Sequence, residues 1–333
     1  MKKFKRHLLP LESNGTYLFF IFIMLAVLIL SIAISIVFGS VEIKFGDVIG
    51  FLANKISGKQ VVAPTWDNSM ESIIWDIRTP RVLTAFIVGA GLTLCGIVMQ
   101  ALTKNTLADP YVLGISQGAS SGAVFMIMYG SMFFYGQYGT VLGAFIGAVI
   151  SIVIALQIAK IRNKVTATQL ILAGIAVAAM FGALTNIMIY LQRTGSDKVK
   201  TAQYWMMGSL SGSTWERLVY VAIVFVICFI VIYAIRKMLD AMLLGDDVAL
   251  TLGVNTGRLK LIMILVTTLL TGAIVSISGV IGFVGLTIPH ITRSVVGSKH
   301  TRLIPAATLV GGTFLVLADV ISRVIMSPEE LPI

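Results

Sequence analysis

The sequence predicts an all-α protein that crosses a membrane several times. Hydrophobic residues make up 57% of its 333 residues and charged residues only 12%, about half the ~25% charged share of soluble domains. The apolar residues fall into repeated stretches of about 20, the length at which a helix crosses the ~30 Å hydrocarbon layer of a bilayer. We therefore expect a single polytopic transmembrane domain over residues 1–333.

Nine apolar stretches qualify as membrane spans. The first follows a basic start, residues 1–7, but it is longer than the apolar core of a signal peptide and lacks a clear cleavage site. Cytoplasmic connections are enriched in Lys and Arg, and a cytoplasmic N-terminus satisfies this rule best. Only Gly279 separates the seventh stretch from the eighth, so these two could form one broken hairpin. The expected spans are 18–38, 82–102, 113–134, 138–159, 169–191, 218–238, 261–278, 280–296 and 303–321.

The second span belongs to a stretch, residues 78–119, that joins two polar sites. Arg78 and Arg81 stand at its start, the mostly apolar residues 82–102 follow, and a polar turn with Lys104 and Asn105 comes next. A helix of this length has one end at each membrane surface. The arginines are thus expected outside and the turn in the cytoplasm.

The longest cytoplasmic connection, residues 239–260, carries the signature of a short helix. Asp246 and Asp247 precede an apolar pattern that ends at Gly253. Aspartate is a frequent helix N-cap, and glycine is frequent just after a helix end. Two interpretations stay open: a docking surface for a cytoplasmic partner, and an ordinary capped loop.

Several classes of function are disfavoured by the sequence. The net charge of +10 comes from short basic clusters between the spans, where such charge orients helices, so nucleic-acid binding is not expected. Cys95 and Cys228 lie within apolar stretches, which argues against a disulfide framework. The chain has no G-x-x-x-x-G-K-[ST] loop to hold ATP phosphates. We expect no cofactor in this chain, and a partner must supply energy for any active transport.

An intramembrane serine protease is the alternative from another class, with Ser116, Ser120, Ser276 and Ser278 as candidate nucleophiles. A serine nucleophile needs a base within hydrogen-bond reach, and His290 is ~18 Å from Ser278 along a helix. No carboxylate cluster accompanies the three histidines, so neither a catalytic nor a metal site is expected. A passive channel is disfavoured because repeated charged or carbonyl filter motifs are absent.

A weak internal repeat suggests symmetry within the chain. The sequences L-C-G, ending at Gly96, and I-S-G, ending at Gly279, precede a second glycine by the same spacing, Gly114 and Gly297. The first copy lies toward the inner end of its span and the second at an outer turn. The repeat would therefore be inverted, as in many transporters. Coincidence is the alternative in a chain with 31 glycines.

Six motifs occur in order along the chain. The first three are R-T-P-R at 78–81, N-T-L-A-D-P at 105–110 followed by L-G at 113–114, and G-S-L between two tryptophans within 205–215. The last three are L-G, A and L-G within 244–253, G-F-V-G-L, P-H and R within 282–293, and A-D, R and E-L-P-I within 318–333. Together they resemble the FecCD-type permease subunits of binding-protein-dependent importers for iron–siderophores, heme and vitamin B12. The resemblance covers roughly residues 70–333. It implies a fold of ten spans per subunit. Family members continue past E-L-P into a tenth helix. This sequence does not contain that helix, so nine spans are expected. Thr106 departs from the usual proline of the second motif.

The resemblance also implies roles for particular residues. Arginines matching Arg78, Arg81 and Arg323 receive acidic residues of the solute-binding protein in the family, and snorkelling at the membrane interface is the alternative. The segment 239–260 resembles the helix that seats on the ATPase subunit, with Asp246, Asp247, Ala249, Leu252 and Gly253 as its coupling residues. Residues matching Asn105, Leu107, Thr166 and Thr168 close the cytoplasmic end of the pathway, with plain turn and cap residues as the alternative.

These observations lead to one expectation of function. The chain is expected to be the permease subunit of an ATP-driven importer in a bacterial cytoplasmic membrane, with its N-terminus in the cytoplasm. The resemblance favours Fe(III)–siderophore as the cargo over heme or vitamin B12. It implies three partners: a second copy or paralogue of the permease, a separate ATPase subunit that hydrolyses ATP, and an extracytoplasmic solute-binding protein. The chain itself is not expected to be an enzyme.

Overall fold

The computed structural model describes residues 13–39, 41, 43–130, 137–160, 166–192, 196–326 and 330–333. The basic start of the chain and residues 131–134 of the third predicted span lie outside this part. The described residues form helices and turns without a β-strand. The α-helices are α1 (Asn14–Val37), α2 (Phe45–Ser57), α3 (Asn68–Ser72), α4 (Thr79–Thr103), α5 (Ile115–Tyr129), α6 (Gln137–Ala159), α7 (Ala167–Tyr190), α8 (Asp197–Met206), α9 (Trp215–Ala234), α10 (Arg236–Leu243), α11 (Asp246–Thr251), α12 (Thr256–Ser278), α13 (Val284–Val296) and α14 (His300–Val324).

Seven of the described helices are long and apolar enough to cross a membrane. They are α1, the continuous helix Asn68–Thr103 that contains α4, and helices α6, α7, α9, α12 and α14. These seven overlap seven of the nine expected spans. The fold is therefore all-α with multiple membrane crossings, as the sequence predicts.

The eighth expected span, 280–296, needs a correction. Helix α13 begins at Val284 and has 13 residues, which extend only about 20 Å at 1.5 Å per residue. Gly279 and Phe283 have φ of 67° and 64°, so the chain leaves α12 through a turn that cannot continue as a helix. Helix α5 has 15 residues, and the end of the third expected span, residues 131–134, lies outside the described part of the chain.

Helix α4 is the central element of the bundle. It packs against α1, α9, α12, α13 and α14, and nearly all of its residues are buried. Two glycines allow backbones to touch: a Cβ on Gly89 would lie 2.3 Å from the carbonyl oxygen of Gly311, and one on Gly96 would lie 1.8 Å from that of Gly285. Small residues at such crossings permit close packing of membrane helices.

The glycines of the proposed repeat lie in different environments. Gly96 lies within α4, nearer its C-terminal end, whereas Gly279 follows the end of α12 with a positive φ. Gly114 precedes α5, and Gly297 follows α13. These pairs are therefore not structurally equivalent, and an inverted repeat stays a prediction that other residues must support.

The chain enters α4 through a wider helical turn. Residues Ile73–Arg78 form a π-helix that continues directly into α4, and the Thr79 hydroxyl donates a hydrogen bond of 2.7 Å to the Ile74 carbonyl. Pro80, which has no N–H to donate, lies in the first turn of α4. This entry places Arg78 and Arg81 three residues apart, on the same face of the helix.

Candidate functional site

A buried ionic cluster lies where the start of α4 meets the end of α14. The Nε of Arg81 donates to Oδ1 of Asp319 at 2.9 Å, and the Nε of Arg323 donates to Oδ2 at 3.0 Å. The Nη1 of Arg81 also donates to both carboxylate oxygens of Glu330 at 2.9 Å. Asp319 is fully buried, so its charge depends on these two guanidinium groups for compensation.

Arg78 adds a third guanidinium beside this cluster but binds backbone rather than carboxylate oxygens. Its Nη1 donates to the carbonyls of Ile36 and Val37 at 2.6 and 2.7 Å, and its Nη2 donates to that of Val41 at 2.5 Å. The last carbonyls of a helix lack intrahelical partners and carry partial negative charge. Arg78 therefore fastens the C-terminal end of α1 to the start of α4. We call Arg78, Arg81, Asp319, Arg323 and Glu330 the arginine cluster.

The arginine cluster combines burial with an excess of positive charge. Arg78, Arg81 and Arg323 are exposed by only 5%, 6% and 5%, and three guanidinium groups face two carboxylates. All three arginines, with Glu330, line a cavity of about 170 Å³. Their guanidinium groups donate hydrogen bonds to protein oxygens. Snorkelling, in which these groups would reach the lipid headgroups, does not describe this arrangement. Docking of a partner carboxylate stays a prediction, and the cavity is where that carboxylate would have to enter.

Helix α11 supplies the predicted cytoplasmic surface. Gly245, with φ of 119°, precedes the helix, and neither aspartate makes a side-chain capping bond. The expectation that Asp246 or Asp247 is the N-cap is therefore wrong, although both lie in the first turn. Ala249 is fully buried and Leu252 is 63% exposed, so one side of the helix packs inward while apolar side chains project on the other.

Asp246 binds two lysines that lie in different parts of the chain. The Nζ of Lys104, the residue after α4, lies 2.7 Å from its Oδ1, and the Nζ of Lys260 on α12 lies 2.5 Å from its Oδ2. The pKa of Asp246 lies below its usual value, chiefly because of Lys104 and then of Lys260. The aspartate is thus held ionised at the point where α11, α4 and α12 meet.

The predicted gate residues after α4 form a compact polar turn. The side-chain oxygen of Asn105 accepts a hydrogen bond of 2.9 Å from the backbone N–H of Leu107, a common local turn for asparagine. The Leu107 side chain is 67% exposed. Farther along, the Tyr111 hydroxyl donates 2.9 Å to the Ile281 carbonyl, which attaches this segment to the turn between α12 and α13.

The second predicted gate segment begins α7. Thr166 and Gln169 form a reciprocal capping box, with bonds of 3.3 and 3.1 Å, and Thr166 and Thr168 are exposed. Because α7 packs against Pro110–Leu113, both segments lie at the same end of the bundle. Capping explains Thr166 without a gate, so the gating role of Asn105, Leu107, Thr166 and Thr168 stays a prediction.

Two of the four serine residues considered for catalysis, Ser276 and Ser278, make bonds within their own helix. The Ser276 hydroxyl donates to the Ala273 carbonyl and the Ser278 hydroxyl to that of Ile274. Such bonds to the preceding helical turn are ordinary for serine. Within the residues that the structure describes, no three His, Cys, Asp or Glu side chains form a group that could hold a metal ion.

A larger cavity of about 540 Å³ lies among α5, α6, α8, α9 and α12. Its wall carries two basic side chains, several hydroxyls and two aromatic rings, including Lys200, Thr201, Tyr204, Trp205, Arg217 and Ser278. It has no lining residue in common with the cavity beside the arginine cluster, although the Tyr204 hydroxyl donates 3.4 Å to the Glu330 carbonyl. Its mixed polar and apolar wall distinguishes it from the apolar outer faces of the long helices.

Comparison with known proteins decides the family. A model of the FecCD transport family matches residues 27–333 of the chain. The chain belongs to the FecCD transport family. It is therefore a permease of the ABC importer type, and its helical membrane fold is the fold of that family.

Relatives of this FecCD permease are named for different cargoes. The chain is 36% identical to the Fe(3+)-citrate import system permease protein YfmE of Bacillus subtilis over 312 residues, 93% of this chain and 90% of that protein. It is 34% identical to the hemin transport system permease protein HmuU of Yersinia pestis, with 80% and 81% covered. Other relatives are named for vitamin B12 and molybdate import. A solved structure described as an inward-facing conformation of a putative metal-chelate type ABC transporter aligns with a TM-score of 0.79, 29% identity and coverage of 94% and 92%.

Reasoning from the sequence missed the partners of the FecCD permease's charged residues. Asp319 and Glu330 were not predicted as site residues, nor were Lys104 and Lys260. The sequence did contain a signal for Asp319. Burying a carboxylate inside a membrane span costs free energy unless an oppositely charged partner lies beside it. Arg323, four residues later, is on the same helical face. No comparable spacing links Lys104 to Asp246, which are brought together only by the fold.

Proposed function

We propose that this permease carries Fe(III)–siderophore through the cytoplasmic membrane after an extracytoplasmic solute-binding protein delivers it. The observation that supports an iron chelate is the alignment with the Fe(3+)-citrate permease, which extends over 93% of the chain. The solved metal-chelate type transporter is similar over 94% of it. Heme and vitamin B12 are the alternative cargoes within the same family.

The two candidate sites fit the two ends of such a transport path. The arginine cluster carries an excess positive charge and lines a cavity, which suits acidic residues of a solute-binding protein, since arginine binds carboxylates well. At the other end, α11 projects exposed apolar side chains such as Leu250 and Leu252, which suits docking of an ATPase subunit. This assignment places the N-terminus and α11 in the cytoplasm.

A second permease subunit completes the proposed assembly. Helix α7 exposes large apolar side chains along its length, among them Leu172, Ile175, Met180, Leu184 and Ile187. Lipid covers part of such a surface, and in our proposal a second copy or a paralogue covers the remainder and closes the pathway. ATP is bound and hydrolysed by the separate ATPase subunits, whose movement opens the pathway.

Uptake by a deletion strain tests the cargo. We expect loss of uptake of radiolabelled Fe(III) complexes of hydroxamate or catecholate siderophores when the gene is deleted, and recovery when it is returned. Uptake of labelled heme, vitamin B12 and molybdate should be unchanged. A strain carrying the chain without its ATPase subunit is the matched control and should remain inactive. Loss confined to heme or vitamin B12 would assign one of those cargoes instead.

A further inference from the structure

The short helix α11 cannot hold its position alone. It has six residues, and isolated helices shorter than ~12–15 residues are marginal in water. Its anchors are the buried Ala249 and the carboxylate of Asp246, which reaches Lys260 on α12 and Lys104 after α4. Of these contacts, the one with Lys104 joins α11 to a segment far away in the sequence.

Lys104 occupies the position that ends α4 and starts the cytoplasmic turn. Its φ of 53° and ψ of 30° are left-handed, a conformation that few residues other than glycine adopt. The next residue, Asn105, begins the turn that carries the exposed Leu107. A force on the Lys104 side chain therefore acts directly on the backbone from which this turn departs.

The surroundings of the ion pair allow it to carry such a force. The Lys104 side chain is 40% exposed and that of Asp246 is 35% exposed, so the pair can break and form again without stranding a fully buried charge. Lys260 holds the other oxygen of Asp246 and is 19% exposed. Asp246 thus stays attached to α12 when its contact with Lys104 changes.

We propose that Lys104 is a positioning residue that transmits movement of α11 to the turn at residues 105–110 through its ion pair with Asp246. This inference rests on the proposed function, in which an ATPase subunit moves α11. In the nucleotide-free complex the pair holds the turn in one position. When nucleotide binding shifts α11, the turn follows because Lys104 is attached to it.

The experiment follows the turn itself and needs no cargo. Leu107→Cys is introduced into the full complex with its ATPase subunit in lipid, and the rate of labelling by a water-soluble maleimide is measured without nucleotide and after vanadate trapping with ATP. The native Cys95 and Cys228 are buried, so their labelling should be slow. We expect nucleotide trapping to change the labelling rate roughly fivefold, the lower end of coupling between sites.

Three variants of the lysines separate transmission from general support. Lys104→Met should remove the nucleotide-dependent change while the ATPase subunit remains bound and hydrolyses ATP. Methionine is also unbranched at Cβ, so it adds no new backbone strain at this position. Lys104→Arg keeps the charge and should retain the change. Lys260→Met, which leaves the Lys104–Asp246 pair intact, should also retain it.

The outcomes distinguish this inference from the proposed function. The role of Lys104 is overturned if Lys104→Met keeps the full nucleotide-dependent change in labelling rate. It is also overturned if Lys260→Met loses that change to the same extent as Lys104→Met. A complex that transports its cargo but shows no response at Leu107→Cys overturns it as well and leaves the proposed function standing. An ATPase subunit that never associates with the permease overturns both.

Discussion

At the scale of single residues, burial decides what the three arginines can do. Arg81 and Arg323 share the two oxygens of a fully buried carboxylate, Asp319. Desolvating charges is costly, and their attraction offsets that cost only while each partner remains. Replacing Arg81 or Arg323 by glutamate would therefore disturb the fold as well as any docking. Arg78 makes its hydrogen bonds to backbone carbonyls, which makes it the better probe of docking.

Asp319→Asn should destabilise the permease strongly. The change keeps the shape of the side chain but leaves two guanidinium groups buried beside a neutral amide. Removal of one partner from a buried ion pair costs about 3–5 kcal/mol. The midpoint of thermal unfolding in detergent should fall accordingly.

Glu330→Gln is the matched control, because Glu330 is 29% exposed and binds only Arg81 within the cluster. Its loss should cost less than the loss of Asp319, because water can reach Glu330 whereas Asp319 is fully buried. Equal unfolding midpoints for Asp319→Asn and the unmodified protein would show that the buried cluster does not stabilise the fold.

At the scale of helices, close backbone contacts fix the positions of α13 and α14 against α4. The contact between Gly96 and Gly285 brings α13 against α4, and the contact between Gly89 and Gly311 does the same for α14. Helix α14 carries Asp319 and Arg323, so its crossing with α4 determines whether they reach Arg81. The glycines act here through their lack of a side chain rather than through flexibility.

Gly96→Ala should therefore disrupt folding. The new methyl group would lie 1.8 Å from the Gly285 carbonyl oxygen, so the two backbones must move apart. Forced overpacking typically costs about 1–3 kcal/mol, and more where the backbone must shift. Gly46→Ala in α2 is the control, since a methyl group there meets no atom within 4 Å and alanine favours a helix by up to about 1 kcal/mol. Folded yield and unfolding temperature in detergent should fall only for Gly96→Ala.

The long helices and the short helix α11 were predictable from sequence, whereas the extent of α13 was not. Apolar length alone locates α1, α4, α6, α7, α9, α12 and α14, because lipid demands about 20 apolar residues per crossing. Helix α13 is different, since other parts of the protein contact the turn before it at Ile281, although Phe283 is exposed. Ile281 in this turn is buried and its carbonyl accepts from Tyr111. Irregular backbone at membrane depth is tolerated when other protein groups accept or donate its hydrogen bonds. The apolar composition of a sequence segment does not show where such contacts occur.

The candidate sites were predictable as positions but not as contacts. Charge at span ends and the acidic turn before Gly253 pointed to Arg78, Arg81 and Asp246. Their partners come from helices that are distant in sequence, as with Lys104 and Asp246 or Arg81 and Asp319. Those pairings depend on helix crossings that local spacing does not encode. For the same reason the sequence could not show that the arginines are buried.

At the scale of the whole molecule, α4 is a rigid connection between the two sites. It begins beside Arg78 and ends at Lys104, and its 25 residues extend about 37 Å at 1.5 Å per residue. Packing on all sides restrains its bending. If a partner bound at the arginine cluster shifts α4 as a unit, the turn that follows Lys104 moves with it.

Arg78→Gln should weaken binding of the solute-binding protein. The change removes the positive charge of Arg78. Among the described contacts, this guanidinium group binds backbone carbonyls and no carboxylate. Attraction between opposite charges on two proteins mainly raises the association rate, and it is screened beyond ~10 Å at 0.1 M salt. We expect a Kd roughly tenfold higher at low salt, equal to about 1.4 kcal/mol, and a smaller difference at high salt. Binding of the purified partner to the permease in detergent, measured across a salt series, checks this.

Two further variants separate docking from support of α1. Arg78→Lys keeps the charge but loses most of the hydrogen bonds to the end of α1, so it should retain the salt dependence even if the unfolding temperature falls. Lys59→Gln removes a positive charge from the exposed segment after α2, outside the arginine cluster, and should change the Kd little. If Arg78→Gln and Lys59→Gln gave the same Kd and salt slope as the unmodified protein, the cluster would serve the fold alone. In that case the partner's carboxylates must bind elsewhere on this face.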